Sequence, residues 1–108
     1  MKITSIKDKE TLLISLAGEL DHHAAKASIL RIGQMIDYEL PTRAVLDLSG
    51  LMFMDSSGIA VIINIYRRIR ELDASFEVIN VPKQAFKVLA AAGLERMIPI
   101  KAKEVVEI

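Results

Sequence analysis

The chain has 108 residues, enough for one compact domain over 1–108, and 52% of them are hydrophobic, enough for a continuous core. Lys plus Arg and Asp plus Glu number 14 each, so the formal net charge is zero and nothing global drives binding to DNA, RNA or an anionic membrane. The absence of cysteine excludes disulfides and thiolate metal sites and suits a reducing cytoplasm.

The opening residues, Met1 to Ile6, carry no long apolar run and no cleavage pattern, so no signal peptide is expected. Ile3 to Lys7 alternates and predicts a short strand, followed by a polar turn at Asp8-Lys9-Glu10. Leu12, Ile14 and Leu16 alternate with Leu13, Ser15 and Ala17, a second strand that should end near Gly18. A helix is predicted from about His22 to Tyr38. Its apolar face is Ala25, Ile29, Ile32 and Ile36, and Asp21 is placed as its N-cap.

Ala44 to Leu48 reads as a buried strand, and Met52-Phe53-Met54 leads into the polar turn Asp55-Ser56-Ser57-Gly58. The next helix should run from about Ser57 to Leu72, with Ile59, Ile62, Ile63, Tyr66 and Ile69 as its core stripe. Val61, Ile65 and Leu72 widen the apolar arc to about half the circumference, and additional core is the favoured use of that width. The stretch Ile59 to Ile65 is interrupted by Asn64 and is too short to span a bilayer. Phe76 to Ile79 predicts a strand. Pro82 can start a helix whose apolar face is Phe86, Leu89 and Ala90, with Gly93 as its C-cap. Ile98 to Ile100 predicts a last strand, and the tail from Lys103 is ambiguous. No linker, repeat or low-complexity segment interrupts the order. The expectation is a complete, soluble, cytoplasmic protein of α/β class: a mixed, mostly parallel sheet after an opening hairpin, with helices on at least one face.

The turn at Asp55 lies between a buried strand and a helix, at the carboxyl edge of the predicted sheet, where open α/β folds place ligands and partners. Asp21 also follows a strand and precedes a helix. If Leu12 to Leu48 forms a strand, a helix and a parallel strand, then Asp21 and Asp55-Ser56 share that edge. A helix start has unpaired N–H groups and a positive dipole end, which suits a phosphate on Ser56. Asp55 and Asp21 would oppose the added charge. Local pattern alone also fits plain capping by Asp-Ser-Ser.

The stretch Leu46-Asp47-Leu48-Ser49-Gly50-Leu51-Met52-Phe53-Met54-Asp55-Ser56-Ser57-Gly58-Ile59 resembles the signature of the STAS domain family of anti-sigma factor antagonists. Gly18-Glu19-Leu20-Asp21-His22-His23-Ala24 is similar to the second block of that family, and His22-His23 resembles its sporulation branch. The resemblance runs from the first hairpin to Gly93-Leu94. It implies a STAS fold and a phosphorylation-controlled partner switch. In that family the unphosphorylated antagonist binds an anti-sigma factor that is also a serine kinase, and the sigma factor is freed. The kinase phosphorylates the first serine of the turn, which matches Ser56, and a serine phosphatase restores it. Asp21 matches a position important for the partner interaction. Ala60 stands where the family often has Gly, and Asp73-Ala74-Ser75 replaces a frequent Gly-Gly, a turn expected to be less tight. Neither change touches Ser56.

On this reading the partner surface comprises Asp21, Asp55, Ser56, Ser57, Gly58, Ala60, Asn64 and Arg67. Of these, Ser57, Ala60, Asn64 and Arg67 continue from Ser56 along the helix as exposed positions. No cofactor, metal, nucleic acid or membrane is expected, and the chain is expected to be a monomer when free. His22 and His23 are adjacent and have no evident third ligand, so a metal site is not expected. A serine hydrolase would need a base and an orienting group beside Ser56, and the turn is not Gly-x-Ser-x-Gly, so autonomous catalysis is not expected either. The competing reading within the family is another STAS module: a stressosome scaffold, a transporter-associated domain or a nucleotide-binding regulatory domain.

Overall fold

The computed structural model describes residues 1–104. Strands β1 (Lys2–Asp8) and β2 (Thr11–Leu20) lead into helix α1 (His22–Glu39), strand β3 (Arg43–Met54) and helix α2 (Ser57–Glu71). Strand β4 (Ser75–Val81), helix α3 (Lys83–Ala91), a 3-10 turn (Leu94–Arg96) and strand β5 (Ile100–Ala102) complete the order. The five strands form one sheet in the order β1-β2-β3-β4-β5. The β1-β2 pair is antiparallel, a hairpin closed by Lys9 at φ +56°, and the remaining pairs are parallel.

The period of two predicted for the strands sets the core. Leu12 and Ile14 of β2 lie in register with Ala44 and Leu46 of β3, and these with Phe76 and Val78 of β4; together with Leu16 all are buried in one cluster. Ile32 and Ile36 of α1, Ile62, Ile65 and Ile69 of α2, and Ala85 and Leu89 of α3 pack into the same cluster. Leu13 and Ser15, pointing the other way, are half-buried.

Several expectations shift. Strand β2 runs past Gly18 to Leu20, because Gly18 takes φ +107° inside the strand and absorbs an irregularity instead of ending it. The two segments foreseen at Ala44–Leu48 and Met52–Met54 are one strand of 12 residues. The buried face of α2 is turned relative to the predicted stripe. Val61 and Ile65 are fully buried, whereas Ile59, Ile63 and Tyr66 are half-buried and Leu72 is exposed. The surplus apolar arc is therefore mostly core, since α2 packs on both the sheet and α1. On α3 the buried pair is Ala85 and Leu89, while Phe86 is half-buried and Ala90 exposed. The last strand starts at Ile100, because Ile98 closes the 3-10 turn as a core plug and the Pro99 carbonyl accepts from the Val78 N–H. Gly93 takes φ +71° one residue beyond the Ala92 C-cap. The Asp73 turn is tight after all: Asp73 itself adopts φ +53°, a conformation aspartate tolerates better than most residues. The predicted ambiguous tail lies partly at residues 105–108, outside the described residues.

Candidate functional site

The α1 and α2 helices start side by side. The parallel register pairs Leu20 with Met54, so the residues that follow each strand meet at the carboxyl edge. The Asp55 N–H donates to the Leu20 carbonyl at 3.3 Å, extending the contact beyond the strands. Asp21 caps α1 as the sequence suggests, its Oδ1 accepting from the Ala24 N–H at 3.0 Å.

Asp55 does more than its position in the turn predicts. Its Oδ1 accepts from the Ser57 N–H at 2.8 Å and its Oδ2 from the His22 N–H at 3.1 Å. One carboxylate therefore ties the first turn of α2 to the first residue of α1. Hydrogen bonding by the Ser57 N–H, seconded by that of His22, holds the Asp55 carboxyl below its ordinary range despite an opposing desolvation contribution.

With Asp55 capping α2, Ser56 is released from that task. Ser56 is exposed, has helical backbone angles and makes no side-chain bond to the helix. Ser57 is half-buried and its N–H is held by Asp55. The free helix-start donors foreseen for a phosphate are already engaged. The Ser57 N–H bonds Asp55 Oδ1, the Gly58 N–H bonds the Asp55 carbonyl at 3.0 Å, and the Ile59 N–H bonds the Ser56 carbonyl at 3.1 Å.

Gly58 is buried against Met54. A Cβ there would stand 2.5 Å from Met54 Cγ, so glycine is demanded by close approach of the helix to the strand end. Ala60 and Arg67 are exposed and Asn64 is half-buried, and these three continue along α2 from the turn. On the neighbouring turn of α2, Arg68 forms a two-pronged ion pair with Asp37 of α1, at 2.9 and 2.8 Å. Gly33 makes room for that guanidinium, since a Cβ would lie 3.0 Å from it. His22 and His23 are both exposed, with ring centroids 5.8 Å apart and edge to face. Among the described residues no group of three potential metal ligands forms. No described helix is long and apolar enough to cross a membrane.

Two features of the site escape sequence reasoning. Strand β3 pairs with β4 only from Arg43 to Asp47, then runs on beside β2 alone. Its last residue is held from the far side by Gln84 of α3. The Gln84 Oε1 accepts from the Met54 N–H at 2.9 Å, and its Nε2 donates to the Met54 carbonyl at 2.7 Å, so one amide replaces a strand. The second feature is an extra residue in β3. Between Gly18 and Glu19 of β2 the partner strand steps from Leu51 to Phe53, which leaves Met52 bulged out. No motif marks either feature, because both depend on the backbone register.

The profile of the STAS domain matches residues 2–106. The anti-sigma F factor antagonist of Paenibacillus polymyxa is 34% identical over 94 residues, 87% of this chain and 80% of that protein. The structure of the anti-sigma factor antagonist SpoIIAA in its unphosphorylated form is similar at a TM-score of 0.77 and 27% identity, over 92% of this chain and 87% of that one. The Bacillus cell fate determinant SpoIIAA in the phosphorylated form is similar at a TM-score of 0.70 and 27% identity, over 92% and 90%. A profile match of this extent, on a mixed five-stranded sheet with its two signature turns joined at one edge, places the chain in the STAS domain family.

Proposed function

We propose that this chain is an anti-sigma factor antagonist whose partner binding is switched by phosphorylation of Ser56. The observation that carries the reading is the freedom of the Ser56 hydroxyl, exposed at a helix start where Asp55 has taken over capping. A residue needed as a cap would be lost to the fold on modification; Ser56 is not. Relatives named anti-sigma F factor antagonist, and a similar structure described in unphosphorylated and phosphorylated forms, support the reading.

In this mechanism the unphosphorylated chain binds an anti-sigma factor with serine kinase activity (SpoIIAB-like) and so releases a sigma factor, promoting sigma-factor-dependent transcription in sporulation. Asp21, Asp55, Ser56, Ser57, Ala60, Asn64 and Arg67 contribute the contact surface, and Gly58 brings α2 close enough to present it. The kinase transfers the γ-phosphoryl of ATP to Ser56 Oγ. The new O–P bond forms as the bond to ADP breaks, and the hydroxyl proton leaves to the kinase. The phosphate adds about −1.5 to −2 charge. Asp55 stands next to it in the chain, Asp21 lies on the same edge, and the Ser57, Gly58 and Ile59 N–H groups are taken, so the phosphate projects outward and changes what the partner meets. A serine phosphatase (SpoIIE-like) hydrolyses the ester and resets the switch. The chain is substrate and ligand in this cycle and supplies no catalytic group, cofactor or nucleic-acid contact. It acts as a cytoplasmic monomer.

The test is phosphorylation by the cognate anti-sigma kinase with ATP, mapped by mass spectrometry, together with pull-downs. Phosphate should appear on Ser56 and be lost in Ser56→Ala. The alanine form should retain the anti-sigma factor and Ser56→Asp should bind it poorly. Full phosphorylation of Ser56→Ala would refute the assignment.

A further inference from the structure

The bulge in β3 leaves two large apolar side chains outside the core immediately before the switch turn. Met52 is 80% exposed and Phe53 is 41% exposed. Met54, the next residue, is fully buried, so the segment is not loosely packed. The extra residue turns otherwise core-type side chains outward, and bulges recur where a strand re-aims a side chain beside a functional site. Phe53 lies in register with Glu19 of β2, itself exposed. Asp21 and Asp55 follow at the ends of the same two strands, their carboxylates bonded to helix-start N–H groups, so Glu19 is the unengaged carboxylate beside Phe53.

We infer that Met52 and Phe53, with Glu19 beside them, form an apolar and acidic anchor that seats the anti-sigma factor, which meets it with an apolar side chain flanked by a basic one. The inference rests on the Ser56 reading and extends its surface. It carries the interface off α2 and over the strand ends, in direct chain continuity with Ser56. The exposed Glu19 carboxylate favours a basic group on the partner at that point of the patch. Met52 offers an unbranched, adaptable contact and Phe53 a rigid one. A patch of this kind beside a switch makes the added phosphate effective, because a charge at its rim opposes desolvation of the whole patch.

The experiment measures Kd for the anti-sigma factor by calorimetry with wild-type chain, Met52→Ser, Met52→Ser/Phe53→Ser, Glu19→Arg and Ser56→Asp, alongside thermal unfolding of each. Met52→Ser should bind about tenfold more weakly, the size of a hot-spot truncation, with an unchanged Tm. Glu19→Arg should weaken binding in a salt-dependent way. The double variant should weaken it further, and Met52→Ser keeps the test open should Phe53→Ser impair folding. If Met52→Ser and Glu19→Arg bind within about twofold of wild type while Ser56→Asp loses binding, the anchor is refuted and the switch stands. If Ser56→Asp binds as wild type, both fall. A wild-type dimer in sedimentation that Met52→Ser dissociates, with anti-sigma binding unchanged, would assign the patch to a second copy and overturn the proposal.

Discussion

Replacing Gly58 with alanine tests how the Asp55-Ser56-Ser57-Gly58 turn is held. The new Cβ would sit 2.5 Å from Met54 Cγ, 2.9 Å from its Sδ and 3.1 Å from its Cε. The Cγ is the root of the side chain, and a rotation about χ1 is needed to move it, in a residue with no exposed surface. Overpacking of this type costs about 1–3 kcal/mol. Alanine recovers up to about 1 kcal/mol of helix propensity. The close contact at the side-chain root puts the cost high in its range, for a net loss of about 1–2 kcal/mol. An unfolding entropy of about 2.1 cal/mol/K per residue converts that to a fall in Tm of about 4–9 °C. Thermal and urea unfolding followed by circular dichroism read it directly. A double-mutant cycle isolates the cause: in a Met54→Ala background the added methyl has room, and Gly58→Ala should cost at least about 1 kcal/mol less than in wild type. A Gly58→Ala protein as stable as wild type, or a cycle with no coupling, would refute the packing argument.

The remaining predictions concern the groups that frame the same turn. Gln84→Ala should cost about 1–3 kcal/mol by leaving the Met54 N–H and C=O without their partner, and Gln84→Glu should fail to rescue it because a carboxylate cannot donate to that carbonyl, as urea unfolding will show. Asp55→Asn should be destabilising at neutral pH, since a neutral amide replaces a charged acceptor of two N–H groups. The folded Asp55 titrates below its unfolded value, so the stability it adds is present above about pH 4 and lost as pH falls through the folded value; the gap between wild type and Asp55→Asn should close at low pH. Ser56→Ala should leave stability within about 0.5 kcal/mol of wild type while abolishing phosphorylation, separating the acceptor from the scaffold in one variant. Asp73→Gly should raise stability by a few tenths to about 1 kcal/mol by removing the left-handed strain at φ +53°, measured by urea unfolding.

Much of the fold was legible because its signals are local. The spacing of Ile29, Ile32 and Ile36 marks α1 and the alternation through Leu12, Ile14 and Leu16 marks β2, and in both cases packing agrees with pattern. The meeting of Asp21 with Asp55 followed from the handedness and parallel sense of one strand-helix-strand unit. The phase of α2 was not legible: its many apolar residues permit several buried faces, and contact with α1 as well as the sheet chose Val61 and Ile65 over Ile59 and Ile63. The bulge at Met52 and the amide of Gln84 were hidden for another reason. Each answers a backbone need created by register between distant strands, and no residue preference advertises it. The division of labour in the turn was half visible. Asp-Ser-Ser announces a cap, but that Asp55 takes the role and frees Ser56 depends on where the His22 N–H arrives.

The parting of β3 from β4 after Asp47 has a mechanical consequence. Here the last seven residues of β3 are paired with β2 along one side, anchored in the core by Leu48, Leu51 and Met54, and bonded at their last residue by the amide of Gln84. That last bond comes from α3, 30 residues further along the chain, so a substitution at Gln84 perturbs the backbone leading into the turn without altering any residue of the turn.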